Sequence, residues 1–358
     1  MKKKEKIYIL SILIVILSVF VSFPVHAKKS SLKLNKSKIT LYTGKSTTLK
    51  VKGKYKKVKW SSNNKKVATV NKKGRVTAKK PGKAVIICRD KKKHVCKCVV
   101  VVKKKNVSEL NNGNYGVFLG VNKGNLKASK KKIDKYKIIV IDAQEFSKEQ
   151  ISNWKSEGHI VYSYLNVGSI ETYRSYYKEY KHLALKSYDN WPDEYWIDVS
   201  DASWQSKIID IGKSLTKKGV DGFFIDNTDV YYQYHKTSIY KGLENILLGL
   251  EEYTSNIIIN GGDTFVEELI DNGKTDLISG VNQESVFSKI VDYEQNRFKA
   301  QSKETTKYYQ SYLKQCKNAG LDVYIIEYTK DYDIGKKAKR YCDQNNYEIY
   351  ITDSIDLD

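Results

Sequence analysis

The chain has 358 residues, with 64 Lys/Arg against 40 Asp/Glu, a net charge of +24 and five cysteines. The charge is unevenly placed. Residues 28–105 carry 28 basic side chains and a single acid, Asp90, whereas residues 106–358 are net −6, which rules out reading the whole chain as basic.

Residues 1–27 have the layout of a secretory signal: Lys2, Lys3, Lys4 and Lys6, an apolar run over 7–23, then Val25-His26-Ala27 as the cleavage site. This predicts an exported chain, secreted or held at the cell surface. The alternative is an uncleaved anchor, because the run sits at the short edge of what spans a bilayer. For an exported chain, no nucleic-acid partner is expected. The partner expected of the basic module is an anionic cell-wall polymer or a membrane surface, with a soluble spacer as the competing reading.

Residues 28–105 predict a small all-β sandwich. Ile39-Thr40-Leu41-Tyr42 and Ser46 to Val51 alternate at period two around Thr43-Gly44, and Val67 to Val70 and Arg75 to Ala78 flank Lys73-Gly74. Ala84 to Cys88 and Val95 to Val102 predict a terminal hairpin. If its turn centres on Lys92, Cys88 faces Cys96 and could form a cross-strand disulfide in an oxidising compartment. Trp60-Ser61-Ser62-Asn63, Val67-Ala68-Thr69-Val70, Gly74 to Ala78 and Pro81-Gly82-Lys83-Ala84 occur in an order that resembles the bacterial Ig-like group 2 domain. Trp60 is expected in its core.

Residues 106–114 are polar, carry Asn111-Asn112-Gly113 and predict a linker. From 115 onward apolar strands alternate with segments of helical period. The strands fall at 115–121, 137–142, 159–165, 221–226, 256–260, 277–283, 322–328 and 346–351, with helices at 204–218, 240–253, 303–319 and 334–345. Eight such strands over 115–358 predict an α/β fold, a (β/α)8 TIM-type barrel. A long insertion over 171–203 follows strand three and carries much of the Tyr and Trp.

In such a barrel the C-terminal strand ends carry the chemistry. Here they carry Asp142 and Glu145, Asn166, Asp226, Asn260, Glu284, Glu327 with Tyr328, and Asp353, without Lys or Arg. Two carboxylates across a cleft are what glycosidic cleavage needs: one protonates the leaving oxygen, the other attacks the anomeric carbon or activates water. An acidic, Tyr-rich cleft suits a neutral or cationic sugar. His159, His182 and His235 are scattered and no Gly-rich phosphate loop is present, so neither metal nor cofactor is expected.

Tyr164 to Arg174, Glu194 to Val199, Gly219 to Tyr231 and Asn282-Gln283-Glu284-Ser285 resemble glycoside hydrolase family 114, the endo-α-1,4-polygalactosaminidase type. The resemblance implies cleavage of an α-1,4-linked galactosamine-containing polymer. It also implies a catalytic pair at the Asp ending strand four and the Glu ending strand six, which are Asp226 and Glu284. With the barrel logic it makes Asp226 the nucleophile and Glu284 the acid/base, with Glu327 in reserve. Asp142, Tyr164, Asn166, Asn227, Glu327 and Tyr328 are expected to bind substrate. A non-catalytic carbohydrate-binding surface protein and a cell-wall polysaccharide remodelling hydrolase remain as alternatives, and no protein partner is expected.

Overall fold

A computed structural model describes residues 32–53, 57–189 and 191–358. The expected signal, residues 1–27, lies outside the described residues. The chain divides into two units after Lys104.

In the first unit a four-stranded sheet runs in the order Lys38–Tyr42, Val95–Lys103, Gly82–Asp90, Val58–Ser62. A three-stranded sheet runs in the order Ser46–Thr48, Arg75–Ala78, Ala68–Val70. Alternation sends Ile39, Val76, Ala84, Ile86, Cys98, Val100 and Val102 into one core, with Trp60 packed against it as expected. The hairpin register sets Cys88 opposite Cys96, and both are thiols.

The second unit is built on eight strands: β1 Tyr115–Val117, β2 Ile138–Ile141, β3 Ile160–Asn166, β4 Gly222–Asp226, β5 Ile257–Asn260, β6 Gly280–Glu284, β7 Asp322–Tyr328 and β8 Glu348–Thr352. Each pairs with the next in parallel, and β8 returns beside β1. This is the predicted (β/α)8 barrel. The strands read as continuous apolar runs because the interior packs against one face and the helices against the other.

Helices at Ala202–Lys218, Thr237–Glu251, Lys303–Asn318 and Tyr332–Asn345 lie where the sequence placed them. The first ends on Gly219 at φ +106°, a left-handed conformation that releases the chain into β4. The stretch expected as a linker is built into the barrel: Val107–Leu110 is a 3-10 helix, and the Asn111 side chain bonds both the carbonyl and the N–H of Ile351 on β8.

Two excursions rise from the strand ends. The one after β3 is a three-stranded antiparallel sheet of Ser169–Glu171, Trp191–Ile197 and Ala184–Tyr188. The other, absent from the sequence reading, is a hairpin of Ser288–Asp292 and Arg297–Ala300 after β6.

Candidate active site

Register decides which side chains meet. Asn166 is level with Asp226, Asn260 with Asn282, and Glu284 with Ile326, so the residues of each pair point to the same face. Asp226 and Glu284 turn into the barrel mouth, where the Asn260 Nδ2 donates to both, at 2.9 Å to Asp226 Oδ1 and 3.1 Å to Glu284 Oε1. The Tyr328 hydroxyl also donates to Glu284. Behind them, Asn282 Nδ2 donates to Asn260 Oδ1 at 2.6 Å, and the Tyr115 hydroxyl donates to Asn282 Oδ1 at 3.0 Å.

Burial raises both carboxyls. Asp226 is pushed up to about 8, first by burial and then by the charge of Glu284, with the Asn260 bond opposing. Among the described residues neither acid has a Lys or Arg partner. Two uncompensated acids this close keep one proton between them near neutrality. Asp229, whose N–H-accepting carboxylate meets Gly262 at 3.1 Å, is raised to about 6 by burial and by Asp263.

The remaining expected residues do other work. Asp142 is buried and accepts from Arg174 Nη1 at 2.7 Å, while Arg174 Nε bonds Glu171 at 2.8 Å. The Tyr164 hydroxyl bonds the same Glu171 at 3.4 Å. Arg174 comes from the excursion after β3, so a list of strand-end residues contained no cation although this mouth holds one.

Asn166 and Asn227 both direct their Nδ2 to Glu194 Oε1, at 2.9 and 2.8 Å, and Ser169 bonds that oxygen as well. Asn227 does this from φ +65°, a left-handed position that Asn tolerates. Gly168 permits it, since a Cβ there would lie 1.8 Å from the Asn227 carbonyl oxygen. These two amides tie β3, β4 and the excursion together, and their donors are spent on Glu194, on Ser169 and, from Asn227, on Asn166 Oδ1.

Glu327 does not reach the cleft. Tyr328 faces inward with Glu284, so its neighbour Glu327 faces the helices. There it is fully buried, with its carboxylate taken by the Phe287 N–H at 3.0 Å and by the Ser288 hydroxyl. The expectation that two successive residues share the cleft fails on the period of the strand.

The sequence reading missed Glu194, Tyr188, Trp191 and Tyr293. Tyr188 stacks on Trp196 at 4.4 Å, and its hydroxyl is raised by burial and then by the charges of Asp226, Asp229, Glu194 and Glu284. Trp191 meets Tyr293 edge-on at 6.0 Å, joining the two excursions. The concentration of Tyr and Trp in 171–203 was the available signal. At the opposite end of the barrel, Asp134, Glu157 and His159 converge, with the Lys130 ammonium 2.8 Å from each of the two carboxylates.

Residues 121–357 match Glycoside-hydrolase family GH114, and residues 30–100 match the bacterial Ig-like domain (group 2). The glycoside hydrolase domain of PelA from Pseudomonas aeruginosa superposes with a TM-score of 0.58 at 16% identity, covering 68% of this chain and 96% of that one. Ega3 of Aspergillus fumigatus, solved as a complex with galactosamine, gives 0.53 at 16% identity, covering 71% and 94%. An uncharacterized protein of Thermotoga maritima (strain ATCC 43589 / DSM 3109 / JCM 10099 / NBRC 100826 / MSB8) is 22% identical over 222 residues, 55% of this chain and 66% of that protein. The chain thus spans just under two thirds of that relative's length. With a barrel of this design and a match over most of it, the chain is a glycoside hydrolase and belongs to family GH114.

Proposed function

We propose that the protein cleaves an extracellular amino-sugar polysaccharide, α-1,4-galactosaminan-like, by a two-carboxylate retaining mechanism. Asp226 is the nucleophile and Glu284 the acid/base. The observation that carries this reading is the shared Asn260 donor. Because one nitrogen reaches both carboxylates, at 2.9 and 3.1 Å, the two oxygens cannot be as far apart as the roughly 6.5–9.5 Å of an inverting pair. Galactosamine bound to Ega3, and the acids Asp226, Asp229, Glu194 and Glu284 around Tyr188, support a cationic sugar.

The free site favours the opposite proton placement: Glu284 has two donors, Asn260 and Tyr328, against one for Asp226. The proton therefore rests on Asp226 until substrate enters. A glycosidic oxygen beside Glu284 then offers that carboxyl a partner only when it is protonated, and the proton is drawn across. Asp226, left ionised, attacks the anomeric carbon, and Glu284 later activates water.

A panel of amino-sugar and neutral polysaccharides, scored by new reducing ends, tests the reading. Release from galactosamine polymer with retained configuration is expected. Tight binding without release would favour the carbohydrate-binding alternative.

The chain is exported on this reading, and its cationic first unit holds it to anionic wall polymer. That unit's only acid in 28–105, Asp90, is taken up by His94 at 2.8 Å, leaving the lysines uncompensated. Retention of the whole protein on wall preparations should fall steeply with salt, since exposed charges are screened over about 10 Å at 0.1 M. Salt-insensitive retention would leave the unit as a spacer.

A further inference from the structure

We propose that Asn282 and Tyr115 are positioning residues for the carboxylate pair. Their hydrogen-bonded relay fixes the Asn260 amide so that its NH2, not its carbonyl, faces Asp226 and Glu284. The proposal rests on the reading of Asp226 and Glu284 given above.

The argument is one of donors and acceptors. An Asn side chain can turn over at little steric cost, and only its partners decide which end points where. Asn260 has two acids on one side, at 2.9 and 3.1 Å, and Asn282 on the other, at 2.6 Å. The ionised Glu284 and the unprotonated oxygen of Asp226 only accept, so they require the Asn260 NH2. The Asn260 carbonyl then needs a donor from below, and Asn282 supplies its NH2. The Asn282 carbonyl needs a donor in turn, and the Tyr115 hydroxyl supplies it at 3.0 Å.

Asn282 and Tyr115 are both fully buried, so no solvent competes for these bonds. Every link runs the same way, from a strand-one tyrosine at mid-barrel to the two acids at the mouth. Such a chain strengthens its own members. Neither Tyr115 nor Asn282 bonds the acids directly. Each acts by denying Asn260 its other orientation, in which a carbonyl would confront the Glu284 carboxylate.

Two substitutions break the relay at different points. Asn282→Asp keeps the shape but makes the side chain acceptor-only, so it pulls the Asn260 NH2 away from the pair. Tyr115→Phe removes only the last donor. In both, the acids lose or share their common donor, and a carboxylate that loses a hydrogen bond titrates higher.

The experiment follows the two carboxyl titrations in the whole protein by isotope-edited carboxyl spectroscopy, with the pH profile of kcat/KM beside it. The acidic limb and the lower carboxyl titration should both move up by about one pH unit in Asn282→Asp. A smaller shift in the same direction is expected in Tyr115→Phe, with KM within about twofold. Tyr324→Phe, whose ring packs 4.8 Å from Tyr115 but lies outside the relay, is the control and should shift neither.

If Asn282→Asp does not fold, Tyr115→Phe carries the test alone. Unshifted titrations in a folded Tyr115→Phe, or an equal shift in Tyr324→Phe, overturn the relay. The spectroscopic reading stands without turnover, so a relay that shifts the acids in a protein that cleaves nothing would sink the catalytic reading and not the relay.

Discussion

Two pairs of carboxylates stand at the mouth of one barrel, one buried and one half-buried, and they have been given different surroundings. Asp142 and Glu171 share the Arg174 guanidinium, bonded to each at 2.7 and 2.8 Å. Asp226 and Glu284 share an amide NH2, at 2.9 and 3.1 Å. A guanidinium supplies a full charge; an amide supplies only a dipole. The first pair has one of its two charges compensated and holds the excursion after β3 onto β2, although burial still raises Asp142. The second keeps its desolvation uncompensated and so keeps a proton near neutrality. Carboxyls raised by burial beside a like charge in a cleft are functional-site candidates. On the proposed reading, the contrast separates an acid that builds the cleft from one that works in it, although both sit at strand ends.

Removing the charge of Asp226 should have the largest effect. Asp226→Asn keeps the size and should lower turnover by a factor on the order of 10^4. It should also raise stability at neutral pH, because it deletes a half-buried, desolvated acid with no cation. The sign follows from the titration. Asp226 is held up to about 8 against an ordinary 3.8, so the folded state binds the extra proton between these values. Stability is kept below that window and lost as pH rises through it. Melting temperature against pH should show this slope in the parent and a shallower one in Asp226→Asn. A variant that melts lower than the parent at pH 8 contradicts the assignment.

Glu284 sharpens the division of roles inside the proposed catalytic pair. Glu284→Ala should lose nearly all activity on polymer but keep a large part of it on a sugar with an activated leaving group, which needs no proton. Added azide should then give a product of retained configuration, whereas azide rescue of Asp226→Ala should give the inverted one. The reverse pattern would exchange the two roles.

Arg174→Met tests the structural pair. It leaves Asp142 and Glu171 buried without a cation and also removes the packing over Tyr173, where the guanidinium lies 5.0 Å from the ring. A loss of about 3–5 kcal/mol by denaturant unfolding is expected. Partial recovery in Arg174→Met combined with Asp142→Asn would show that the cost is the unpaired charge.

Much of this was legible in the chain. The eight strands announce themselves as apolar runs ending in polar residues, and Asp226 and Glu284 stand at two of those ends. The Ig-like turns are equally plain, because Gly44 and Gly74 occupy left-handed positions that the sequence marks. What could not be read was partnership. Arg174 is 32 residues from Asp142, and Glu194 is 33 from Asn227. Such pairs depend on how an excursion folds back, and no local pattern encodes that. The hairpin after β6 was hidden for another reason: Lys289, Asp292 and Arg297 give it a polar outline that reads as loop. Glu327 was legible in principle, since strand alternation already forbids it from facing the cleft beside Tyr328.

Glu327 gives the smallest effect. Its carboxyl is raised to about 7 by burial, opposed by the bonds from Ser288 and Phe287, so by titration alone it resembles Asp226. Its position on the outer face makes the difference. Glu327→Gln keeps one acceptor oxygen where the carboxylate offered two, so either the Phe287 N–H or the Ser288 hydroxyl goes unpaired, a cost of about 1–3 kcal/mol. Turnover and KM should stay within about threefold of the parent, because nothing in the cleft has changed. The stability slope as pH rises toward 7 should flatten, as it does for Asp226→Asn toward 8. A raised carboxyl would then mark desolvation in both places and chemistry in only one. If Glu327→Gln instead lost turnover on the scale of Asp226→Asn, burial without a cation would be the common cause, and the inward turn of the side chain would no longer distinguish the working acid.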